Sequence, residues 1–188
     1  MNETNAFWAG PEGDSYTQRC RVDWRARIPF WTDILDRTGA RSVYEVGCNA
    51  GWNLSAMQVA SRSVMVYGHE INETARQQAV WAGLEVWGTK GIGGDAMVDL
   101  VVTVGVLIHV APGDLREFML DICRTSADYV LAVEYEAPEE TEVEYRGKTG
   151  LLWKRDFGKL YADLGLTPVD KFDAGPAFDR CTAWILRK

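Results

Sequence analysis

Cysteine and histidine are scarce in this sequence, and neither follows a metal-binding or redox pattern. The four cysteines are dispersed, with no CxxC pair and no histidine at the spacing of a zinc ligand. We therefore expect reduced thiols in a cytoplasmic protein, and no metal site. No run of about 18 apolar residues occurs, so no membrane-spanning helix is predicted. The opening stretch MNETNAFWAGPEGD has neither the basic nor the apolar region of a signal peptide.

Basic residues are outnumbered by acidic ones, 20 to 27, and the formal net charge is −7. Such a charge repels phosphate backbones, which weighs against nucleic acid as the main partner. The length of 188 residues is enough for one well-packed domain. We expect a single domain, residues 1–188.

Apolar strand patterns alternate with helical patterns along most of the chain. The strand patterns are SVYEV, SVMVYGHE, LEVWGT, VDLVVTVGVL and DYVLAVEY, followed by the pair LTPVDKFD and RCTAWILRK. Asn72 is a plausible N-cap for one helix, and Gly39 and Gly83 follow the ends of two others. This alternation predicts an α/β fold with a parallel sheet and helices on both faces. The final pair predicts one antiparallel strand near the edge of the sheet.

The segment Glu45–Gly51, EVGCNAG, joins the first strand to the next helix. Gly47 and Gly51 allow a sharp bend and a close approach of a ligand to the backbone; the less favoured alternative is that they serve helix–strand packing alone. Glu70 ends the second strand, where an acidic residue can accept both hydroxyls of a ribose. The dinucleotide pattern GxGxxG is absent, and no Walker lysine follows the turn. A nucleoside without phosphates, as in S-adenosylmethionine, fits these features.

The EVGCNAG turn resembles the E/D-x-G-x-G-x-G motif of class I S-adenosylmethionine-dependent methyltransferases, with Asn49 in place of the middle glycine. The resemblance covers essentially the whole chain. Within the class, the sequence most resembles the methyltransferases found with pseudaminic acid biosynthesis genes, through FWAGPEGDSYTQR, GVLIHV and EYRGKTGLLWKRDF. The resemblance implies a Rossmann-like seven-stranded sheet, mostly parallel with one antiparallel strand. It also implies an N-terminal helical segment, 1–40, closing over the cofactor, and a cover over the acceptor site at 136–165.

Two segments depart from the pattern of the class. The segment GTKGIGGDAMVDLV is shorter than the usual connection between the third and fourth strands, and the C-terminal FDAGPAFDRCTAWILRK is short as well. Counting back from the fourth strand, Thr89 and Lys90 fall closer to the usual adenine position than Asp95 and Ala96 do. The short C-terminal segment bears on the acceptor more than on the cofactor.

The resemblance implies which residues contact S-adenosylmethionine and its product S-adenosylhomocysteine. These residues are Tyr16, Arg19, Glu45, Gly47, Cys48, Asn49, Gly51, Trp52, Asn53, Glu70, Ile71, Thr89, Lys90, Val104 and Leu107. Arg19 would bind the cofactor carboxylate through a bidentate pair. The alternative for Tyr16 and Arg19 is a packed N-terminal arm without a cofactor contact.

Five further residues are candidates for chemistry on the acceptor. His109 follows the fourth strand, and an ordinary histidine pKa of about 6.5 would let it take a proton from an attacking hydroxyl; otherwise it caps a helix or shapes the pocket. The other four lie where the acceptor pocket is expected and would suit a carboxylate or phosphate, as on a nonulosonic acid or nucleotide sugar. They are Tyr145, Arg146, Lys154 and Arg155. Their alternative is a solvated helix start with local ion pairs.

The sequence thus predicts a methyltransferase for a small, anionic, sugar-like acceptor in surface-glycan synthesis, with O-methylation favoured. The acceptor and the methylated atom rest on the resemblance. Three alternatives stay open: another small metabolite as acceptor, a peptide or protein group as acceptor, and a non-catalytic subunit that binds S-adenosylmethionine. An NAD-dependent enzyme is disfavoured by the missing GxGxxG, and a nucleic-acid amino-methyltransferase by the missing Asn/Asp-Pro-Pro-aromatic tetrapeptide.

Overall fold

A computed structural model describes residues 3–20, 22–88 and 97–188 of the chain. Seven strands form one sheet, and two short strands form a separate hairpin. The sheet strands are β1 (Ser42–Val46), β2 (Met65–His69), β3 (Glu85–Trp87), β4 (Val98–Val104), β5 (Ser126–Glu134), β8 (Thr167–Asp173) and β9 (Thr182–Arg187). The hairpin strands are β6 (Thr141–Glu142) and β7 (Trp153–Lys154).

The described residues also form seven α-helices. They are α1 (Glu3–Ala9), α2 (Pro11–Arg19), α3 (Ile28–Thr38), α4 (Trp52–Ala60), α5 (Glu73–Trp81), α6 (Pro112–Thr125) and α7 (Phe157–Asp163). Two predicted helix boundaries are confirmed. Gly39 ends α3 in a left-handed conformation, and the Asn72 side chain caps the start of α5 through the Ala75 N–H. Within the described residues, no helix has both the length and the apolar character needed to cross a membrane.

The strand order in the sheet is β3-β2-β1-β4-β5-β9-β8. The strands pair in parallel except β9, which runs antiparallel to both β5 and β8. The predicted fold class is therefore confirmed, including the one antiparallel strand beside the edge. The chain order reverses between β1 and β4, so the carboxyl ends of β1, β2 and β4 surround the crevice where ligands of open α/β sheets bind.

Apolar residues on both faces of the sheet hold this crevice in place. One core cluster includes Trp31, Leu54 and Leu131, and a second, on the other face, includes Tyr161 and Phe157. Burial of a large apolar side chain stabilises a fold by about 1.5–3 kcal/mol. A sheet packed on both faces is therefore a rigid support for the loops at its carboxyl edge.

Candidate cofactor and acceptor site

The turn between β1 and α4 takes three left-handed residues. Gly47, Asn49 and Gly51 have φ values of 68°, 48° and 76°. Asparagine is one of the few residues that tolerate this region, and its Oδ1 accepts a hydrogen bond of 2.7 Å from the Ala50 N–H. Asn49 can therefore replace the middle glycine of the motif. A Cβ on Gly51 would lie 2.2 Å from Leu84 Cδ1, so packing alone accounts for this glycine.

Glu70 lies directly beside this turn, because β1 and β2 are parallel neighbours. Its Oε2 accepts a hydrogen bond of 2.8 Å from the Asn49 N–H, and its Oε1 accepts one of 2.7 Å from the Asn72 N–H. Burial raises the pKa of the Glu70 carboxyl, and these backbone bonds oppose the increase. Each oxygen retains a lone pair for a further donor. The glycine turn and Glu70, the two features from which the sequence predicted a nucleoside site, thus lie side by side.

Glu45 is buried at the end of β1 and belongs to a side-chain network. Asn53 Nδ2 donates to Glu45 Oε1 over 2.6 Å, and Asn53 Oδ1 accepts from Arg27 Nη1 at 2.9 Å and Trp31 Nε1 at 3.3 Å. Burial raises the pKa of Glu45 to about 7, against the Asn53 hydrogen bond and the Arg27 charge. Glu45 Oε2 is buried and has no hydrogen-bond partner among the described residues. An ammonium group would satisfy this oxygen.

Arg27 is the residue of this network that the sequence did not reveal. Its Nε donates to the carbonyl of Ala177 over 2.9 Å, and its guanidinium lies 4.3 Å from the ring centroid of Phe178. It comes from a short 3₁₀ turn, Trp24–Arg27, and contacts the loop between β8 and β9. No spacing along the chain relates that turn to EVGCNAG, so only the three-dimensional fold brings them together.

The other residues predicted to contact the cofactor differ in how they are exposed. Trp52 is the half-buried first residue of α4, Ile71 follows Glu70 and is also half-buried, and Val104 ends β4. The Cys48 side chain is buried in the turn, and the Leu107 side chain is buried in the core. Thr89 and Lys90 lie outside the described residues.

An aromatic cluster centred on Trp8 joins the N-terminal helices to the loop after β4. The centroid of the Trp8 ring lies 4.2 Å from that of His109, 5.7 Å from that of Tyr16 and 5.5 Å from that of Tyr145. Burial raises the pKa of Tyr16 to about 12. The structure thus brings together three residues that the sequence predicted for separate tasks.

Charged residues close the rim of this aromatic cluster. Arg19 forms an ion pair with Glu12 and donates to the Tyr145 hydroxyl over 2.5 Å. Arg146 is exposed and pairs with Glu12 at 3.5 Å. Arg19, Tyr145 and Arg146 are therefore engaged with the N-terminal helices in this structure. Their predicted contacts with cofactor or acceptor remain predictions.

Asn72 anchors the N-terminal helices next to Glu70. While its Oδ1 caps α5, its Nδ2 donates to the carbonyls of Trp8 and Gly10 at 3.4 and 3.3 Å, and to Asp14 Oδ1 at 3.1 Å. The turn between α1 and α2 is thereby fixed two residues from Glu70. This contact gives the N-terminal segment a defined place against the crevice.

His109 ends a short 3₁₀ turn, Leu107–His109, beneath the Trp8 ring. Burial lowers the pKa of His109 to about 4, while a backbone contact with Leu151 opposes the decrease. Its Nδ1 is buried and has no hydrogen-bond partner in the described part of the chain. The imidazole is therefore neutral at physiological pH, with a nitrogen that no protein group occupies.

Two buried charged residues grip the loop 105–110 that carries His109. Glu134 Oε1 accepts hydrogen bonds from the N–H groups of Val106 and Leu107, at 3.0 and 3.1 Å. Arg155 Nη1 donates to the carbonyls of Leu107 and Val110, at 3.3 and 3.1 Å. We call this arrangement the Glu134–Arg155 clamp. Arg155 is 2 % exposed, which favours a supporting role over the predicted contact with an acceptor.

Comparison with solved structures identifies the architecture. Magnesium protoporphyrin IX methyltransferase from Synechocystis PCC 6803, with bound SAM, superposes with a TM-score of 0.71 at 13 % identity, over 100 % of this chain and 98 % of that one. The fold is that of the class I S-adenosylmethionine-dependent methyltransferases.

Two further methyltransferases show the same architecture. The sugar N-methyltransferase KedS8 from Streptoalloteichus sp ATCC 53650 superposes with a TM-score of 0.69 at 14 % identity, over 96 % of this chain and 94 % of that one. The 1,6-didemethyltoxoflavin-N1-methyltransferase of Burkholderia thailandensis superposes with a TM-score of 0.73 at 16 % identity, over 94 % of this chain and 85 % of that one. No protein-family model matches the sequence, and no curated protein matches it.

In this methyltransferase fold, most of the predicted cofactor residues lie around one crevice. Asn49 is hydrogen-bonded to Glu70 there, and Asn53 is hydrogen-bonded to Glu45. Lys154 is separate, since it lines a cavity of about 670 Å³ beyond the end of β5. The described residues include no group of three or more His, Cys, Asp and Glu side chains that could hold a metal ion.

Proposed function

We propose that this chain transfers a methyl group from S-adenosylmethionine to a small, acidic, sugar-like acceptor in surface-glycan synthesis. The observation that carries the methyl-donor part is the presence of two buried carboxyl groups at neighbouring strand ends. Glu45 Oε2 has no hydrogen-bond partner among the described residues, and Glu70 binds the Asn49 N–H of the turn. Solved structures of the same fold contain SAM or SAH, which supports the same cofactor here. The four cysteines are free, in keeping with a cytoplasmic site of action.

The residues of the crevice divide between the two ends of the cofactor. Glu45 Oε2 would accept a hydrogen bond from the ammonium of the methionine portion, and Glu70 would accept the ribose hydroxyls through its remaining lone pairs. When bound, S-adenosylmethionine supplies a methyl group on a positively charged sulfur, open to in-line attack by an acceptor oxygen or nitrogen. The chain's main contribution is to align the acceptor in a space from which water is excluded.

The acceptor class follows from weaker arguments. The resemblance to methyltransferases of pseudaminic acid gene clusters points to a nonulosonic acid or nucleotide sugar. The structural likeness to a sugar N-methyltransferase supports a sugar-like acceptor and keeps nitrogen open beside oxygen. Lys154, with no ion pair in the described part of the chain, supports an acidic one. We favour O-methylation, with His109 Nδ1 as the group that takes the hydroxyl proton.

Calorimetric titration with S-adenosylhomocysteine and with NAD tests the donor. We expect micromolar binding of the homocysteine compound and none of NAD, because the turn lacks a phosphate-binding pattern. Binding of NAD, or of neither ligand, would overturn the methyltransferase proposal. An assay of S-adenosylhomocysteine release, run over acidic sugars, neutral sugars and peptides, then separates the acceptor classes. Tight binding without release for any acceptor would favour the non-catalytic subunit.

A further inference from the structure

The cavity beyond the end of β5 is built from five separate parts of the chain. It has a volume of about 670 Å³, within the range of about 300–1,000 Å³ typical of small-molecule sites. The residues that matter for its chemistry come from the end of β5, from β7, from the N-cap of α7, from β8 and from the loop before β9. They are Tyr135, Lys154, Asp156, Lys171, Asp179 and Arg180.

The cations of this cavity are not equivalent. Lys171 Nζ lies 2.7 Å from Glu136 Oε1, and Arg180 Nη1 lies 3.5 Å from Asp173 Oδ2, so both have a carboxylate partner. Lys154 forms no ion pair within the described residues, and its Nζ lies 5.9 Å from the ring centroid of Tyr135. An ammonium that is only half-exposed and has no anion is a ready partner for a carboxylate or phosphate on a ligand.

The carboxylates of the cavity are suited to hydroxyl groups. Asp179 Oδ2 accepts the Tyr135 hydroxyl at 3.0 Å, and Asp156 Oδ1 caps α7 through the Lys159 N–H at 2.9 Å. Each carboxylate keeps lone pairs that can accept a hydrogen bond from a hydroxyl group of a ligand. A cation without an ion pair among the described residues, placed beside several carboxylate acceptors, matches a ring that carries several hydroxyls and a single negative group.

The cavity adjoins the crevice where the methyl group would be transferred. A Cβ built on Gly105, in the loop after β4, would lie 3.9 Å from Tyr135 Cε2, so the Tyr135 ring stands between that loop and the cavity. On the other side, Asp179 is close enough to Arg27 and Tyr16 to act on the pKa of each. Tyr135 and Asp179 therefore connect the cavity to the loop after β4 and to the surroundings of Arg27 and Tyr16.

We infer that this cavity is the acceptor subsite and that Lys154 binds the single carboxylate or phosphate of an acidic sugar. The inference rests on the proposed function and assigns the acidic group to Lys154 instead of the Tyr145–Arg146 side. Tyr145 and Arg146 already contact Glu12, whereas Lys154 has no such partner.

Binding of three small probes tests the subsite, with S-adenosylhomocysteine present and absent. The probes are glucuronate, glucose 1-phosphate and neutral glucose. Saturation-transfer NMR measures the binding of each, and a competition experiment compares the two acidic sugars. We expect the acidic sugars to bind and glucose to bind at least about tenfold more weakly, and the stronger acidic probe identifies carboxylate or phosphate as the preferred group. Equal binding of all three, or no binding of either acidic sugar at about 10 mM, would overturn the inference.

Variants of Lys154 locate the bound group. Lys154→Met should weaken the acidic probes about tenfold or more, whereas Lys154→Arg should retain most of the binding because the charge is kept. Lys148→Met is the matched control, since Lys148 also lies over an aromatic ring, Phe7 at 4.9 Å, but does not line the cavity. Unchanged binding in Lys154→Met would overturn the inference. Calorimetry of S-adenosylhomocysteine on the same samples reports separately on the proposed function.

Discussion

Glu70 Oε2 accepts a hydrogen bond of 2.8 Å from the backbone N–H of Asn49. The second oxygen accepts the N–H of Asn72, so one buried carboxylate holds the turn between β1 and α4 on one side and the start of α5 on the other. Asn72 in turn holds the N-terminal helices. The acidic residue predicted for the ribose is therefore also the residue that joins three segments of the crevice.

Replacement of Glu70 should affect both binding and stability. Glu70→Ala leaves two backbone N–H groups without their acceptor, which costs about 2–4 kcal/mol of unfolding free energy. It should also weaken S-adenosylhomocysteine at least about tenfold in calorimetry, equivalent to about 1.4 kcal/mol. Glu73→Gln is the control, because Glu73 is exposed on α5 and should leave both quantities nearly unchanged. Unchanged affinity of Glu70→Ala for S-adenosylhomocysteine would show that Glu70 does not bind the ribose hydroxyls.

The pH dependence of cofactor binding reports on Glu45. Burial raises the pKa of this carboxyl to about 7 in the free protein. Below that pH it is protonated and attracts an ammonium poorly, so affinity for S-adenosylhomocysteine should fall about tenfold from pH 8 to about pH 6. Glu45→Gln is neutral throughout and should bind weakly, with little change over this range. A flat profile in the unaltered protein would show that the Glu45 carboxylate does not meet the ammonium.

Glu134 makes the stability of the fold depend on pH. Burial raises its pKa to about 7, against the hydrogen bonds from Leu107 and Val106, whereas a glutamate in an unfolded chain titrates near about 4.3. Its stabilising contribution is therefore complete below about pH 4.3 and is lost as the pH rises to about 7. Glu134→Gln keeps one oxygen for the two N–H groups and stays neutral.

Urea unfolding of Glu134→Gln and of the unaltered protein measures this contribution. The difference in unfolding free energy should move in favour of the variant by about 2–3 kcal/mol between pH 5 and pH 8. Glu117→Gln serves as the control, because Glu117 is exposed on α6 and pairs only with Arg124. A constant difference across this range would mean that Glu134 is ionised in the folded chain at all of these pH values.

Arg155 distinguishes support of the loop from contact with the acceptor. Arg155→Met removes the donors to Leu107 and Val110 and should cost about 2–4 kcal/mol of unfolding free energy. Arg146→Met, on the exposed hairpin turn, should change stability by less than about 0.5 kcal/mol. Stability that survives in Arg155→Met, with acceptor binding lost, would favour the direct contact predicted from the sequence.

The strands and the turn between β1 and α4 could be predicted because their signals are local. A continuous apolar run marks β4, and the two final strand patterns mark the antiparallel pair, since each depends on residues adjacent in the chain. Asn49 shows the same point for a single position, because its side chain tolerates the left-handed backbone that the motif requires. Local sequence therefore predicted the fold and the turn between β1 and α4.

The charged residues around the crevice could not be assigned in this way. A charged pattern does not say whether an arginine faces solvent, a ligand or a buried carbonyl, and Arg155 proves to be buried against two carbonyls. Arg27 contacts Asn53 from a distant part of the chain, so only tertiary packing reveals it. The hairpin of β6 and β7 was missed as well, because its two-residue strands are too short for a periodic pattern.

The role proposed for His109 has a distinctive pH signature. Burial lowers its pKa to about 4, so the neutral imidazole that can take a proton is present at any pH well above that value. If His109 is the base, the rate of methyl transfer should fall on acidification near pH 4 instead of near the ordinary value of about 6.5. Profiles of kcat against pH, with a sugar acceptor found in the release assay, measure this.

Substitution of the two histidines separates a base from a packing residue. His109→Gln should lower kcat at least about a hundredfold, the lower range for loss of a general base, with S-adenosylhomocysteine affinity nearly unchanged. His69→Gln is the matched control, because His69 is the chain's other histidine, is also half-buried and has a pKa lowered by burial. A loss below about threefold in His109→Gln would leave the imidazole as a packing partner of Trp8. Methyl transfer would then depend on alignment alone, which favours an acceptor nitrogen, because a neutral amine is a stronger nucleophile than a hydroxyl that keeps its proton.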